Sequence, residues 1–81
     1  MDRAAIMAKV QDILRDVVDD DTVVINDSTA AEDVADWDST NHIRLMVGIE
    51  EAFKIRFETE DINKPETVGE LVDMIRAKLG C

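Results

Sequence analysis

Apolar residues recur at helical spacing in the first part of the chain, within residues 2–18. They follow the i, i+4, i+7, i+8, i+11 pattern of an amphipathic helix and share one face: Ile6, Val10, Ile13, Leu14 and Val17. Aspartates occupy positions 19–21, where negative charge opposes the dipole of a helix that ends there. The pattern therefore predicts a first helix that stops at about Asp19.

A second helical pattern covers residues 39–53. Its main apolar arc is predicted to face the core and holds Leu45, Met46, Ile49, Ala52 and Phe53. Ile43 and Val47 lie at one side of that arc, near Glu50 and Lys54. This shallower apolar strip is either the edge of the core or a contact surface.

A last helix is predicted to follow Thr67. Thr67 and Glu70 have the spacing of a capping box, and Gly80 is expected to end the helix. Its apolar stripe consists of Val68, Leu71, Val72, Ile75 and Leu79. Before it, residues 59–63 predict a short helical turn, with Thr59 as its N-cap and Ile62 directed inward.

A long connection, residues 19–38, joins the first two predicted helices. Its apolar residues 23–25 could form a short strand, but the sequence supplies no second strand to pair with them. We therefore predict a loop that packs across the core through its own apolar side chains. The candidates for this packing are Val24, Val34 and Trp37.

Length and composition agree with one folded domain. A chain of 81 residues can fill a single small hydrophobic core, and 46% apolar residues at regular spacing favour a folded chain over a disordered one. Together with the helical patterns, this predicts an all-α domain over residues 1–81. We expect a small four-helix bundle with three long helices, one short helix and a long first loop.

The net charge narrows the classes of partner. With 19 acidic and 9 basic residues, the formal charge is −10, which repels phosphate backbones and anionic lipid headgroups, so we expect neither nucleic-acid nor membrane partners. Complementary charge favours protein partners with basic patches, although the acidity could also serve only to keep a small protein in solution. The N-terminal residues include no uninterrupted apolar stretch, and we expect a cytoplasmic protein. Cys81, the only cysteine, is expected to be a terminal thiol without a disulfide or zinc partner.

Ser39, the only histidine His42, and either Asp36 or Asp38 are close enough in sequence to suggest a catalytic constellation. Such a site also needs an oxyanion hole and a pocket that excludes water, for which a bundle of 81 residues has little volume. We therefore expect His42 to be an exposed helix residue and the protein not to be an enzyme. The aspartates of residues 19–38 lack the glycine and glutamate spacing of an EF-hand, so no metal site is predicted.

The position of Ser39 suggests a different role. If Asp38 is the N-cap of the second helix, Ser39 is its first residue, and its hydroxyl lies beside backbone N–H groups without intrahelical partners. A phosphate esterified to Ser39 would be stabilised there by the helix dipole, but an ordinary helix start accounts for the same two residues equally well. Within this helix, Gly48 costs about 1 kcal/mol relative to alanine. Close approach by a partner, or simple tolerance of a small residue, would explain it.

Three segments resemble the acyl carrier protein family, which includes peptidyl and aminoacyl carrier domains. They are DST at residues 38–40, IRLMVGIEEAF in the second helix and TVGELVDMIRAKL in the last, and the resemblance runs from Arg3 to Leu79. It implies that a phosphopantetheinyl transferase moves 4′-phosphopantetheine from coenzyme A onto Ser39, beside Asp38. It also implies that the thiol of this arm carries an acyl, aminoacyl or peptidyl group as a thioester, and that the domain itself catalyses nothing.

The resemblance also indicates which residues contact partner enzymes. Ile43 and Val47 match positions on the face that such enzymes contact. Partner-binding residues are also predicted where the chain departs from the family pattern, at Trp37, Thr40, His42 and Arg44. These departures favour a stand-alone carrier in a specialised pathway over general fatty-acid synthesis. We also expect a monomer, whose partners are an acyl- or aminoacyl-activating ligase and downstream transferases with basic docking patches. The competing hypothesis is an acidic helical interaction module without a covalent arm.

Overall fold

All four predicted helices are present in the computed structural model, which describes residues 2–80. Helix α1 spans Arg3–Val18, α2 Ser39–Phe53, α3 Thr59–Ile62 and α4 Val68–Lys78, and a 3₁₀ turn, Ala31–Asp33, interrupts the first connection. Within residues 2–80 there is no β-strand, so the prediction of an all-α fold with three long helices and one short helix is confirmed. No helix in that part of the chain is long and apolar enough to cross a lipid bilayer. The prediction for Cys81 lies outside the described residues.

Helix α1 packs against both α2 and α4 and forms the core with them. The side chains with almost no exposed surface are Ile6, Val10, Leu14, Leu45, Met46, Ile49, Val68, Leu71, Val72 and Ile75. Each buried side chain of this size contributes roughly 1.5–3 kcal/mol relative to an exposed one. The buried stripe of α1 ends at Val18, whereas Ile13 and Val17 are only half-buried. Ala52, predicted to face the core, is exposed, because neighbouring residues of a helix point about 100° apart and Phe53 is the one of the two that faces the core.

Groups next to α1 fix where that helix begins and ends. Asp2 caps its start, with the carboxylate accepting a hydrogen bond from the N–H of Ala5 at 2.8 Å. Asp19 ends it in the left-handed conformation, with φ 54°, and donates its N–H to the carbonyl of Asp16 at 3.3 Å. The predicted stop at Asp19 is confirmed, and a backbone turn closes the helix in addition to the unfavourable charge.

The predicted N-cap of α3 is wrong: Glu58 holds that position, and Thr59 is the first helical residue. The reason is Asp61, whose carboxylate accepts the N–H of Glu58 at 2.9 Å and closes the first turn. The same carboxylate pairs with Lys78 of α4 at 3.0 Å. Both hydrogen bonds favour the ionised carboxylate and lower the pKa of Asp61, and the one from the Glu58 N–H has the larger effect. Ile62 packs against the core, as predicted.

The first connection, residues 19–38, is a loop packed on the core, as predicted, and it contains no strand. Trp37 is buried and Val34 is half-buried against the core, so both of these predicted anchors are confirmed. A third anchor, Thr29, is polar. Its hydroxyl oxygen accepts the N–H of Asn26 at 2.9 Å, so this buried group has a hydrogen-bond partner.

The prediction that Val24 packs on the core is wrong. Two side chains of α1 set the orientation of this segment: Arg15 donates to the carbonyl of Val23 at 2.7 Å, and Gln11 accepts the N–H of Ile25 at 3.0 Å. Neighbouring side chains of an extended segment point in opposite directions. Ile25 is therefore buried, and Val24 is 74% exposed.

The same loop caps the first turn of α4. The carbonyl of Thr29 accepts the N–H of Val68 at 2.8 Å, and the carbonyl of Asp27 accepts the N–H of Gly69 at 3.0 Å. Inside the helix these N–H groups have no partner. Arg3 of α1 supports the junction through an ion pair with Asp27 at 3.1 Å, so three parts of the chain meet at this point.

Gly69 permits the loop to approach α4 closely, because a Cβ at position 69 would lie 2.8 Å from the carbonyl oxygen of Asp27. Next to it, the capping box predicted for Thr67 and Glu70 is confirmed. The hydroxyl of Thr67 accepts the N–H of Glu70 at 3.3 Å, and the carboxylate of Glu70 accepts the N–H of Thr67 at 3.1 Å. Gly80, with φ 80°, follows the end of α4, as predicted.

Gly48 lies at the contact between α1 and α2. A Cβ at this position would lie 2.8 Å from Cγ2 of Ile13, which is closer than packed side chains tolerate. The small residue is therefore required by helix packing within the domain. This replaces both explanations drawn from the sequence, approach by a partner and simple tolerance.

Replacing Gly48 by alanine tests this contact. Alanine gains about 1 kcal/mol of helix propensity, but its methyl group overpacks the contact at a cost of roughly 1–3 kcal/mol. We expect Gly48→Ala to lower the free energy of unfolding, measured by urea denaturation, and to raise it in an Ile13→Ala background that lacks the opposing methyl group. The same change in both backgrounds would show that the two residues do not compete for space.

Candidate functional site

Ser39 is the first residue of α2 and is exposed. Asp38 precedes it as the N-cap, and the Asp38 carboxylate accepts the N–H of Asn41 at 2.9 Å. The side-chain amide of Asn41 donates to the carbonyl of Asp36 at 2.7 Å, which ties the preceding loop to this turn. The predicted N-cap and first helical residue are confirmed, and the hydroxyl of Ser39 lies at an accessible helix start.

The first turn of α2 suits a negative charge on Ser39. The N–H of His42 makes the first intrahelical hydrogen bond, to the carbonyl of Asp38 at 2.8 Å. The N–H groups of Ser39 and Thr40 precede this bond, so the helix provides no acceptor for them. The positive end of the helix dipole adds to their effect. A phosphate on Ser39 therefore fits this turn without the need for a neighbouring lysine or arginine.

A hydrogen-bonded bridge beside Ser39 joins α2 to α3. The indole Nε1–H of Trp37 donates to Nδ1 of His42 at 3.1 Å, and the two rings stack with their centroids 6.0 Å apart. Because an indole N–H can only donate, Nδ1 is the acceptor and Nε2 carries the proton of the neutral ring. His42 Nε2 then donates to the carbonyl of Ile62 at the end of α3. We refer to Trp37, His42 and the Ile62 carbonyl as the Trp37–His42 bridge.

The bridge changes the interpretation of His42. The residue is half-buried, so the prediction of an exposed helix residue is wrong. Both ring nitrogens are engaged, by Trp37 and by Ile62, and neither is free to accept a proton from Ser39. The Ser–His–Asp alternative is therefore not formed. Sequence reasoning also missed Ile62 and Asn41 as parts of this site, because their roles depend on contacts that periodicity does not record.

A shallow groove opens beside Ser39, between the first turn of α2 and the α3–α4 connection. Among its lining residues are Trp37, Ser39, His42, Ile43, Ile62 and Pro65. Aromatic and aliphatic surfaces therefore border the hydroxyl. Because the groove is open to solvent, it can receive an extended group attached to Ser39.

The exposed side of α2 continues away from this groove. Its residues up to the middle of the helix are Thr40, Ile43, Arg44 and Val47. Ile43 is 53% exposed and Val47 46% exposed, so the shallower apolar strip is a surface feature and not the edge of the core. Trp37, by contrast, is 9% exposed and His42 is half-buried. These two predicted partner-binding residues line the groove instead of the outer face of α2.

Across residues 2–80, no three or more His, Cys, Asp or Glu side chains are grouped so that they could hold a metal ion. Several polar groups of the acidic first connection instead stabilise the loop itself. Asp33 accepts the N–H of Ala30 at 2.9 Å, and Asn26 Oδ1 accepts the N–H of Ser28 at 2.9 Å. Asp27 is paired with Arg3. The carboxylates of Asp33 and Asp27 thus have partners that hold the loop in place.

The chain is similar to acyl carrier proteins along most of its length. It is 34% identical to the acyl carrier protein of Rubrobacter xylanophilus, over 93% of this chain and 93% of that protein. It is also 34% identical to that of Borrelia garinii subsp. bavariensis, over 99% of this chain and 100% of that protein. The solution NMR structure of a holo acyl carrier protein from Geobacter metallireducens superposes with a TM-score of 0.83 at 36% identity, covering 91% of this chain and 85% of that one. No family model matches the chain.

Substitution of His42 tests the Trp37–His42 bridge. His42→Ala removes both hydrogen bonds and leaves the indole N–H of Trp37 without its acceptor, which costs about 1–3 kcal/mol of unfolding free energy. His42→Gln keeps an acceptor and a donor, so we expect it to recover part of this loss in urea denaturation. Trp37 is the only tryptophan, and its emission is expected to move to longer wavelength in the alanine variant. Equal stability and identical emission in all three proteins would refute the bridge.

Proposed function

The chain belongs to the acyl carrier protein family, and on that basis we propose that it carries its cargo as a thioester on a 4′-phosphopantetheine arm attached to Ser39. The observation that carries this proposal is the exposed Ser39 at the capped start of α2. Asp38, Ser39 and Thr40 stand in the place of the family's attachment motif. The Geobacter relative is a holo form, which supports a prosthetic group on this chain as well.

The first turn of α2 fits the phosphodiester of such an arm. Ser39 Oγ provides the ester oxygen, and the N–H groups of Ser39 and Thr40, together with the helix dipole, stabilise the negative charge. The carboxylate of Asp38 accepts the N–H of Asn41 and so stabilises this turn. The groove that Trp37 helps to line offers an apolar surface beside the attachment point. The arm itself supplies the thiol to which the cargo is esterified.

His42 cannot act as a general base for Ser39, because both of its ring nitrogens are engaged. In our proposal, a separate phosphopantetheinyl transferase takes the arm from coenzyme A and attaches it to Ser39. The chain serves as one carrier domain and catalyses nothing itself. Its contribution is to present Ser39, and later the cargo, in a position that other enzymes reach.

The outer face of α2 is the contact surface for these enzymes in our proposal. Ile43 and Val47 provide its exposed apolar area, and Thr40 and Arg44 border them. Trp37 and His42 line the groove, and in our proposal they contact partner enzymes on the side of the arm. The partners are an acyl- or aminoacyl-activating ligase and downstream transferases, which the chain serves as a monomer.

A specialised pathway, in preference to general fatty-acid synthesis, is the finer part of the proposal. Its support comes from residues that depart from the commonest pattern of the family around the serine. Thr40 replaces a leucine, and His42 and Arg44 stand in a helix start that is typically acidic in fatty-acid carriers. Because these side chains lie around the attachment point, they alter what a partner meets there.

The attachment of the arm to Ser39 has a direct test. The apo protein is incubated with coenzyme A and a broad-specificity phosphopantetheinyl transferase, and its intact mass is measured. Ser28 is the only other serine and is also exposed, so Ser28→Ala is the matched control. We expect wild type and Ser28→Ala to gain one phosphopantetheine mass each, and Ser39→Ala to gain none.

Two results would contradict the carrier function: no mass gain in wild type, or an equal gain in Ser39→Ala. The competing hypothesis, an interaction module without an arm, predicts the first of them. It also predicts that protein purified from its own cells has no modification on Ser39.

A further inference from the structure

The sign of the charge differs on the two sides of Ser39, and the loop side is acidic. The first connection contains no lysine or arginine, and its carboxylates are Asp19, Asp20, Asp21, Asp27, Glu32, Asp33, Asp36 and Asp38. Asp27 is engaged in an ion pair and Asp33 in a cap. All four are exposed, but the carboxylates of Glu32 and Asp36 take part in none of the hydrogen bonds or ion pairs within residues 2–80, and we call these two residues the loop carboxylates.

The loop carboxylates lie close to the attachment point. Glu32 belongs to the 3₁₀ turn, whose first residue, Ala31, lines the same groove as Ser39. The backbone of Asp36 is held against the first turn of α2 by the side chain of Asn41, at 2.7 Å. The loop side of Ser39 therefore has a negative potential that the fold keeps in place.

The helix side of Ser39 carries a cation instead. Arg44 is exposed, and the residues three and four positions away on α2 are uncharged: Thr40, Asn41, Val47 and Gly48. None of the ion pairs within residues 2–80 involves Arg44. The exposed apolar side chains of Ile43 and Val47 flank it. In a chain with a formal charge of −10, this arginine is available for a carboxylate on a partner.

We propose that the loop carboxylates, the Ile43 and Val47 strip and Arg44 form a docking surface of two signs for the phosphopantetheinyl transferase of the same organism. The inference rests on the proposed function, because an enzyme that reaches the hydroxyl of Ser39 must cover both sides of it. The complementary surface has basic side chains opposite the loop carboxylates, an apolar depression for the strip and a carboxylate opposite Arg44. Net charge alone predicts only basic patches on the partner, whereas the transferase surface proposed here has one negative group in addition.

Arg44→Glu tests whether the transferase surface has a carboxylate opposite Arg44 or is basic throughout. If the transferase surface has only basic groups opposite position 44, the negative charge that the substitution adds speeds docking. If that surface has a carboxylate there, the substitution brings two like charges together and slows docking. We expect kcat/KM of the organism's own transferase, measured with coenzyme A and apo protein at low salt, to fall about tenfold, mainly through KM. Lys9→Glu, an exposed lysine on α1, makes the same change in net charge and is expected to leave kcat/KM within about twofold.

The loop side has its own matched pair of variants. Glu32→Gln combined with Asp36→Asn removes the loop carboxylates, and asparagine tolerates the left-handed backbone of Asp36, φ 67°. Asp12→Asn combined with Asp16→Asn removes the same charge from the exposed face of α1. We expect only the loop variant to lose about fivefold in kcat/KM and to show a weaker dependence on salt. Thermal unfolding followed by circular dichroism confirms that all variants are folded.

The outcomes separate the surface from the carrier function. A kcat/KM that rises or stays unchanged in Arg44→Glu overturns the surface of two signs, as does equal behaviour of the loop and α1 double variants. If wild type is modified on Ser39 while the charge variants behave like their controls, only the docking surface is wrong. If wild type gains no arm, the proposed function fails and the docking surface fails with it.

Discussion

The first turn of α4 needs hydrogen-bond acceptors that the helix cannot supply, and the first connection provides them. The carbonyls of Thr29 and Asp27 accept the N–H groups of Val68 and Gly69. Because the chain there is a loop without a strand ladder, these bonds fix its position together with a few buried side chains. A glycine at position 69 is required for so close an approach. The site beside Ser39 depends on this junction, since the same loop leads directly into α2.

Neighbouring residues at the end of the loop have different roles: Trp37 and Asp38 hold the start of α2 in place, and Ser39 is exposed to solvent. Trp37 is buried, and through His42 it is tied to the carbonyl of Ile62, so the aromatic pair connects the start of α2 to α3. Asp38 caps the helix, and Ser39 follows it exposed. A rigid helix start with free N–H groups suits a phosphodiester, and an exposed hydroxyl suits modification by another enzyme. Packing within the domain thus holds in place the surface serine that we propose is modified.

Features that depend on local sequence could be predicted, whereas features that depend on distant contacts could not. Asp38 and Ser39 follow from capping chemistry, which involves residues only a few positions apart. Val24 was misplaced because its orientation is set by side chains of α1. Gly48 required knowledge of the α1–α2 contact, and the burial of His42 required the position of α3. The sequence therefore predicts the residue proposed to carry the arm more readily than what surrounds it.

Native-state hydrogen exchange of the Val68 and Gly69 amides is the most direct test of the loop junction. In most helices such first-turn amides exchange fast, because they have no intrahelical acceptor. If the loop carbonyls hold them, their protection in the apo protein will match that of core amides in mid-helix, such as those of Val10 and Ile49. Exchange at the rate of an unprotected amide, with Val10 and Ile49 still protected, would contradict the junction on which the position of Ser39 depends.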